Sequence, residues 1–296
     1  MTNEAHEQMR SFDYARPETL AEVLELLEQH GPSASILAGG TDLIVRLRAG
    51  RELPSIVIDL KRVGALQVGI RECGALLRIG ACATMTELTA NERVRSGFPA
   101  LAEAAHNVGS VQIRNRATLA GNICNASPAA DTAPALLAYE ATVNLLSKDG
   151  PRRVALRDFF TGPGRTVMGR GELVESLDLP LPTGPQAACF ERLTRRRGVD
   201  LATVNLCCLV RASGQTVLAY GAVAPTPLLF RDDSGKLADP NCHPGEKDAI
   251  LSSFIAGASP RSDVRAAKDY RNAMLLAMSR HALQTALRRL DEKTGP

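Results

Sequence analysis

Two short glycine-containing segments carry the groups of this sequence that are best suited to bind a ligand. They are AGGTD (38–42) and ATLAGN (117–122), and Asn115 and Asn125 flank the second one. Glycine has no Cβ atom, so such turns let a ligand approach the backbone and leave amide N–H groups free to bind an anion such as phosphate. Each segment by itself is also typical of an ordinary tight turn.

The elements around the first segment predict a small α/β unit. ETLAEVLELLEQH (18–30) has helical periodicity with Gly31 as its cap, and SILA (35–38) is typical of a short buried strand. Thr41 or Asp42 is placed to start a second helix that runs to Gly50, before a buried strand IVIDL (56–60). The first 60 residues therefore predict a strand, a Gly-Gly turn and a helix in that order.

The second segment lies in a region of different character. Strands are predicted at 75–81, 141–147 and 172–181, and a helix at 98–109. Between them, residues 108–131 lack a clear period, and irregular segments longer than about 12–15 residues tend to be functional. Prolines between 180 and 185 indicate a domain boundary.

The remaining chain predicts an antiparallel meander followed by helices. Its strands are CFERLTR (189–195), LATVNLCCLVRA (201–212) and QTVLAYGAVA (215–224), and the helices cover 246–257 and 263–291.

Composition limits the functional classes. The 296 residues suggest two domains, and 35 Lys+Arg against 32 Asp+Glu give a net charge of +3, so the run RLTRRR (192–197) is not interpreted as a nucleic-acid site. No apolar run reaches the ~20 residues that span a bilayer, and the polar N-terminus lacks the pattern of a secretory signal, which predicts a cytoplasmic protein without a membrane span. The seven Cys form no C-x-x-C pair, so no metal site is predicted.

Seven segments, in this order, resemble the flavin-binding subunits of the molybdenum hydroxylases, the family that includes xanthine dehydrogenase and carbon monoxide dehydrogenase. They are ILAGGTDL (36–43), QIRNRATLAGNICNASPAAD (112–131), FFTGPGRT (159–166), GELVESLDLP (171–180), RRGVDLATVN (196–205), YGAVAPTPLL (220–229) and ASPRSDVRA (258–266). This ordered set is far more specific than either glycine turn. The second and third segments are most similar to bacterial xanthine dehydrogenases whose flavin domain is a separate polypeptide.

The resemblance implies an α+β fold in two domains. Residues 1–182 are expected to form a vanillyl-alcohol-oxidase-type FAD-binding domain, with FAD between a lobe of about residues 1–60 and a lobe of about residues 61–182. Residues 186–296 are expected to form a C-terminal flavoprotein domain with a three-stranded antiparallel sheet and a helical bundle.

The resemblance also implies that the two turns hold the pyrophosphate of FAD from both sides. The cofactor contacts carried over are Ile36, Leu37, Ala38, Gly39, Gly40, Thr41, Asp42, Thr118, Leu119, Ala120, Gly121 and Asn122. Further flavin-side positions are Asp131, Glu172, Leu173 and Arg192. No residue of the chain is assigned a catalytic or metal-binding role, because FAD itself carries the redox chemistry.

Two positions depart from the family pattern, and the chain lacks an insertion that one family branch carries. Ala120 replaces a common glycine, so its backbone is expected to have negative φ or to tolerate some strain. Val108 stands where relatives carry an aromatic ring near the isoalloxazine, so no stacking is expected there. Ile123 runs directly into a segment with a single cysteine, so the extra iron–sulfur cluster of one family branch is not expected.

The function that the resemblance implies is electron transfer within a complex. A large molybdopterin-binding partner would hydroxylate the substrate at its molybdenum cofactor, and a small partner with two [2Fe–2S] clusters would pass electrons to FAD on this chain. NAD+ or another acceptor would then receive them. Two alternatives stay open, namely a self-contained FAD-linked oxidoreductase of the same flavin fold and a cofactor-free scaffold subunit.

Overall fold

The computed structural model describes residues 10–295. The first nine residues, with which the predicted FAD-binding domain and the polar N-terminus begin, lie outside the described residues, as does residue 296.

The helices are α1 (Leu20–His30), α2 (Leu43–Arg48), α3 (Met85–Ala90), α4 (Glu92–Gly97), α5 (Pro99–His106), α6 (Val111–Arg114), α7 (Leu119–Cys124), α8 (Thr132–Ala138), α9 (Pro244–Ile255) and α10 (Lys268–Thr294). The strands are β1 (Asp13–Ala15), β2 (Ala34–Leu37), β3 (Ile56–Asp59), β4 (Ile70–Cys73), β5 (Leu76–Gly80), β6 (Thr142–Ser147), β7 (Gly150–Ala155), β8 (Phe160–Gly162), β9 (Arg165–Thr166), β10 (Leu173–Pro180), β11 (Gln186–Leu193), β12 (Val204–Arg211), β13 (Thr216–Gly221) and β14 (Leu228–Asp232).

The first lobe is a small parallel sheet with strand order β1-β3-β2. Its central strand β3 is buried along its whole length, as expected for a parallel strand covered on both sides. Helix α1 starts at a capping box formed by Thr19 and Glu22 and buries Val23 and Leu27. Strand β1 is absent from the sequence prediction, because three residues give too short a pattern.

The second lobe is an antiparallel sheet with order β4-β5-β10-β6-β7, accompanied by short helices. Residues 108–131, predicted to be irregular, contain the helices α6 and α7, each started by a hydroxyl side chain. These helices have four and six residues, too few for a helical hydrophobic period to show in the sequence.

Helix α8 joins the two domains. All seven of its residues are buried, and it packs on α5 and α7 as well as on β12, β13 and β14 of the C-terminal sheet. A helix that is apolar all round needs neighbours on every side, and α8 has them because it lies between the domains.

The C-terminal sheet has four strands in the order β11-β12-β13-β14, so the expected three-stranded sheet is wrong. The added strand, β14, pairs with β13 from Thr216 opposite Asp232 to Tyr220 opposite Leu228. Its five residues follow a proline-rich loop; Leu228, Leu229 and Phe230 are only partly buried and Arg231 is exposed, because β14 is an edge strand. Such a strand has a weaker pattern than the buried β12 and β13.

Helix α10 begins at Lys268 rather than at 263. The preceding segment is held in an irregular conformation by Asp263, whose carboxylate binds Arg265 and the buried Arg271. Among the helices of residues 10–295, none has both the length and the apolar character needed to cross a membrane.

Candidate cofactor site

A cavity of about 430 Å³ lies between the two lobes of the first domain. Both glycine turns contribute to its wall through Ile36, Ala38, Gly39, Gly40, Thr41, Asp42, Thr118, Ala120, Gly121 and Asn122. Leu173 lines it too, with other apolar side chains such as Leu60, Val108 and Val174. The fold therefore brings together two segments about 80 residues apart and gives the cavity a polar side and an apolar side.

The first turn depends on Gly39 for the contact between the lobes. A Cβ atom at Gly39 would lie 2.1 Å from the carbonyl oxygen of Arg116 and 3.0 Å from Cα of Ala117. The backbones of the two turns therefore touch here, and only glycine fits. Gly40 has φ +77°, a backbone conformation that other residues rarely adopt.

The amide groups of the first turn are free. Within the part of the chain that the structure describes, the N–H groups of Gly39, Gly40 and Thr41 donate to no backbone or side-chain acceptor. These three residues are only partly buried, so their successive amide groups in the cavity wall are available to donate hydrogen bonds to an anionic ligand.

The second turn is the beginning of helix α7. Thr118 caps it, accepting a hydrogen bond from the Gly121 amide at 3.0 Å, and a Cβ at Gly121 would lie 2.8 Å from that hydroxyl oxygen. Ala120 lies within the helix, so its backbone has negative φ, as expected from the absence of a glycine.

Side chains on both lobes connect across the cavity. Asp42 precedes helix α2 but makes no cap; its carboxylate instead accepts a hydrogen bond from Asn125 at 3.3 Å. Arg46, one helical turn further on, donates to the Asn125 side-chain oxygen. Both Arg46 and Glu52 line the cavity although the sequence prediction did not include them. The i, i+4 spacing of Asp42 and Arg46, which puts both on one helical face, is the signal that could have found Arg46.

Asp131 and Arg192 lie outside the cavity wall and bind each other. Arg192 Nε is 3.4 Å from Asp131 Oδ1, both side chains are buried, and Asn205 donates to the same carboxylate at 2.9 Å. Burial raises the pKa of Asp131 to about 6, although Arg192 and Asn205 act in the opposite direction. Arg192 also donates to the Asn107 carbonyl at 2.7 Å. That these two residues contact the flavin stays a prediction.

Glu172, Leu37 and Leu119 are also absent from the cavity wall. The Glu172 carboxylate accepts hydrogen bonds from Arg152, at 2.7 Å, and from the Gly169 amide. The hydrogen bonds from Arg152 are the main reason why the pKa of Glu172 is lowered. Its neighbour Leu173, the first residue of strand β10, does line the cavity, as does Val174.

The cavity wall also contains one thiol. Cys124 lies 3.8 Å from the Met168 sulfur, and burial raises the pKa of the thiol to about 12, so it stays protonated at neutral pH. Within residues 10–295, no three His, Cys, Asp or Glu side chains come together as metal ligands would.

The fold and this cavity define a two-lobed flavin-binding domain joined to a second α+β domain. The family described as "FAD binding domain in molybdopterin dehydrogenase" matches residues 10–182, and "CO dehydrogenase flavoprotein C-terminal domain" matches residues 188–286. The chain belongs to the family of FAD-binding subunits of the molybdenum hydroxylases, as its motifs predicted.

Individual relatives agree with this assignment over nearly the whole chain. The xanthine dehydrogenase FAD-binding subunit of Escherichia coli O157:H7 is 30% identical over 285 residues, which cover 93% of this chain and 97% of that one. The carbon monoxide dehydrogenase medium chain of Hydrogenophaga pseudoflava is 32% identical over 279 residues, covering 93% and 96%. A solved structure of the latter enzyme, which lacks the Mo-pyranopterin moiety, superposes with a TM-score of 0.87 at 32% identity, covering 95% of this chain and 99% of that one.

Proposed function

We propose that this chain is the electron-transfer subunit of a molybdenum-containing dehydrogenase. It would receive electrons from [2Fe–2S] clusters on a small partner, which takes them from a large molybdopterin-binding partner, and deliver them to NAD+ or another acceptor. A cytoplasmic location and a domain boundary between residues 182 and 186 belong to the same proposal.

One observation carries the proposal for the cofactor. The free amides of Gly39, Gly40 and Thr41 lie in the wall of a cavity that is also lined by the start of helix α7. Backbone amides in such a turn bind a diphosphate, and the apolar side of the cavity suits a flat ring system. The residues present therefore fit FAD, and the residues of the two turns that line the cavity, with Leu173, would hold it.

When bound, FAD supplies the ability to take up single electrons and to release a pair. The protein's part is binding and positioning. The amides of the first turn bind the diphosphate, and the Thr118 hydroxyl fixes the backbone of the second turn through the Gly121 amide. Apolar side chains such as Val108 and Val174 exclude water from the inner part of the cavity.

The test is to purify the chain alone and together with the products of neighbouring genes. We expect a yellow protein whose visible flavin absorbance is lost on removal of FAD and restored by its addition. A chain with no flavin band and no uptake of FAD would refute the proposal.

The same preparations decide between the alternatives. Substrate-dependent turnover by the isolated chain would support a self-contained oxidoreductase. A cofactor-free chain that copurifies in fixed stoichiometry with molybdenum and iron–sulfur subunits would support a scaffold. Under our proposal, reduction of the flavin by substrate requires both partners, whereas the acceptor reoxidises the reduced chain without them.

A further inference from the structure

The charges around the cavity are unfavourable for an anionic ligand except at one residue. Among the described residues that line the cavity, Arg46 is the only Arg or Lys, while Asp42 and Glu52 are carboxylates. A diphosphate brings further negative charge to this wall. The free amides of the first turn supply hydrogen bonds but no full positive charge, so the charge of the ligand has one cationic partner available here.

Arg46 lies between the two lobes and has two protein partners. Its Nη1 lies 3.4 Å from Glu52 Oε2, which is a long contact, and its Nη2 donates to the side chain of Asn125 on the other lobe. Glu52 is itself fixed by the Ser35 hydroxyl, which donates to its other oxygen at 2.6 Å.

These contacts leave some hydrogen-bond donors of the Arg46 guanidinium without a protein partner. It carries five N–H donors, and the structure gives two of them protein partners. The Arg46 side chain is 42% exposed, and ion pairs at that exposure stabilise proteins by only about 0–1 kcal/mol. A role limited to tying the two lobes together would therefore contribute little, whereas the remaining donors are available to a ligand in the cavity.

We infer that Arg46 binds the diphosphate of the cofactor, and that Glu52 weakens this binding by competing for the same guanidinium. The inference rests on the proposed function, since it assumes that the ligand is FAD. It makes Arg46 a specificity-determining residue, because a flavin without phosphate gains nothing from it.

The experiment titrates the flavin-free full chain with FAD and with riboflavin and follows flavin fluorescence. Charge-assisted hydrogen bonds correspond to about 10- to 150-fold in affinity, so Arg46→Gln is expected to weaken FAD binding by that factor. Riboflavin affinity is expected to stay within about twofold, and Arg46→Lys to recover part of the loss, because it keeps the charge without the fork of donors.

Arg48→Gln is the matched control. Arg48 is on the same helix, carries the same charge and is exposed outside the cavity wall. This variant is expected to bind FAD within about twofold of the unmodified protein, since exposed charges outside the site are largely screened by salt.

Glu52→Gln gives a test of opposite sign. The amide oxygen of Gln still accepts from Ser35, but the competing charge is gone, so FAD binding is expected to tighten by about 2- to 5-fold, an effect typical of an exposed pair. A purely structural role of the Arg46 and Glu52 pair predicts weaker binding for both variants.

The outcomes separate this inference from the proposed function. If the unmodified chain takes up no FAD, the proposed function fails. If it binds FAD but Arg46→Gln and Arg48→Gln bind it equally well, only the role of Arg46 is refuted. Equal losses for FAD and riboflavin in Arg46→Gln would likewise refute diphosphate binding and assign Arg46 a structural role.

Discussion

The predicted cofactor residues fall into two groups that the structure treats differently. Most residues of the two glycine turns line one cavity, and the first turn presents free amide groups there. Asp131, Arg192 and Glu172 instead have their charges occupied by protein partners outside the cavity wall. This difference shows that the backbone amides of a turn can remain free to bind a ligand, whereas a charged side chain in the interior needs a partner from the protein itself.

This comparison predicts a separation of effects. Substitutions in the turns should change cofactor affinity, and substitutions in the ion pairs should change stability. The four tests below run from the largest expected effect to the smallest.

Arg192→Met should have the largest effect on stability. Removing one partner of a buried ion pair costs about 3–5 kcal/mol, since Asp131 is left without its cation. Urea unfolding would measure the loss, with Arg197→Met as the control because Arg197 is exposed. A large loss of FAD affinity at unchanged stability would instead place Arg192 with the turn residues.

The pH dependence of stability should report on the same pair. The pKa of Asp131 is raised from its ordinary 3.8 to about 6, so the folded protein holds this proton more tightly than the unfolded chain does. Its stabilising contribution is therefore complete below pH ~4 and is lost as the pH rises to ~6, by about 3 kcal/mol.

Asp131→Asn isolates that contribution, because Asn does not titrate and can still accept the hydrogen bond from Asn205. We expect the free energy of unfolding of the unmodified protein to fall relative to that of the variant between pH 4 and pH 7. Parallel curves for the two proteins would show that Asp131 titrates normally.

Gly39→Ala should act mainly on the cofactor. Its methyl group would meet the Arg116 carbonyl oxygen at 2.1 Å, so the turns must move apart. Overpacking of this kind costs about 1–3 kcal/mol, which corresponds to about 5- to 150-fold weaker FAD binding if the strain falls on the cavity. Gly64→Ala is the control, since a Cβ there meets no atom within 4 Å. Unchanged FAD affinity in Gly39→Ala would contradict the close contact of the turns.

Glu172→Gln should have the smallest effect. Its partner Arg152 is 43% exposed, and ion pairs of this kind contribute about 0.2–1 kcal/mol. Thermal unfolding should therefore move only slightly, and the FAD affinity should stay within about twofold. If FAD binding is strongly weakened while the unfolding midpoint is preserved, Glu172 belongs to the flavin site as the family resemblance implies.

The sequence predicted the elements with strong local signals. Helix α1 and the buried strands β3, β10 and β12 lie within the predicted segments. Elements with weak local patterns were missed, namely the short strand β1, the short helices α6 and α7 and the edge strand β14. In each of these, packing against the rest of the fold decides the conformation, and local sequence contributes little.

By itself the sequence determined the family, the two glycine turns and the absence of a metal-ligand pattern, because each of these depends on residue types at fixed spacing. Only the tertiary structure decided that Gly39 touches the Arg116 carbonyl and that Asp131 binds Arg192. It also decided that Arg46 is the only Arg or Lys among the described residues that line the cavity. The physical reason is that hydrogen bonds, burial and pKa shifts depend on distances between residues far apart in the chain. The local sequence determines where the two glycine turns form, and the packing of the two lobes determines which residues lie next to those turns.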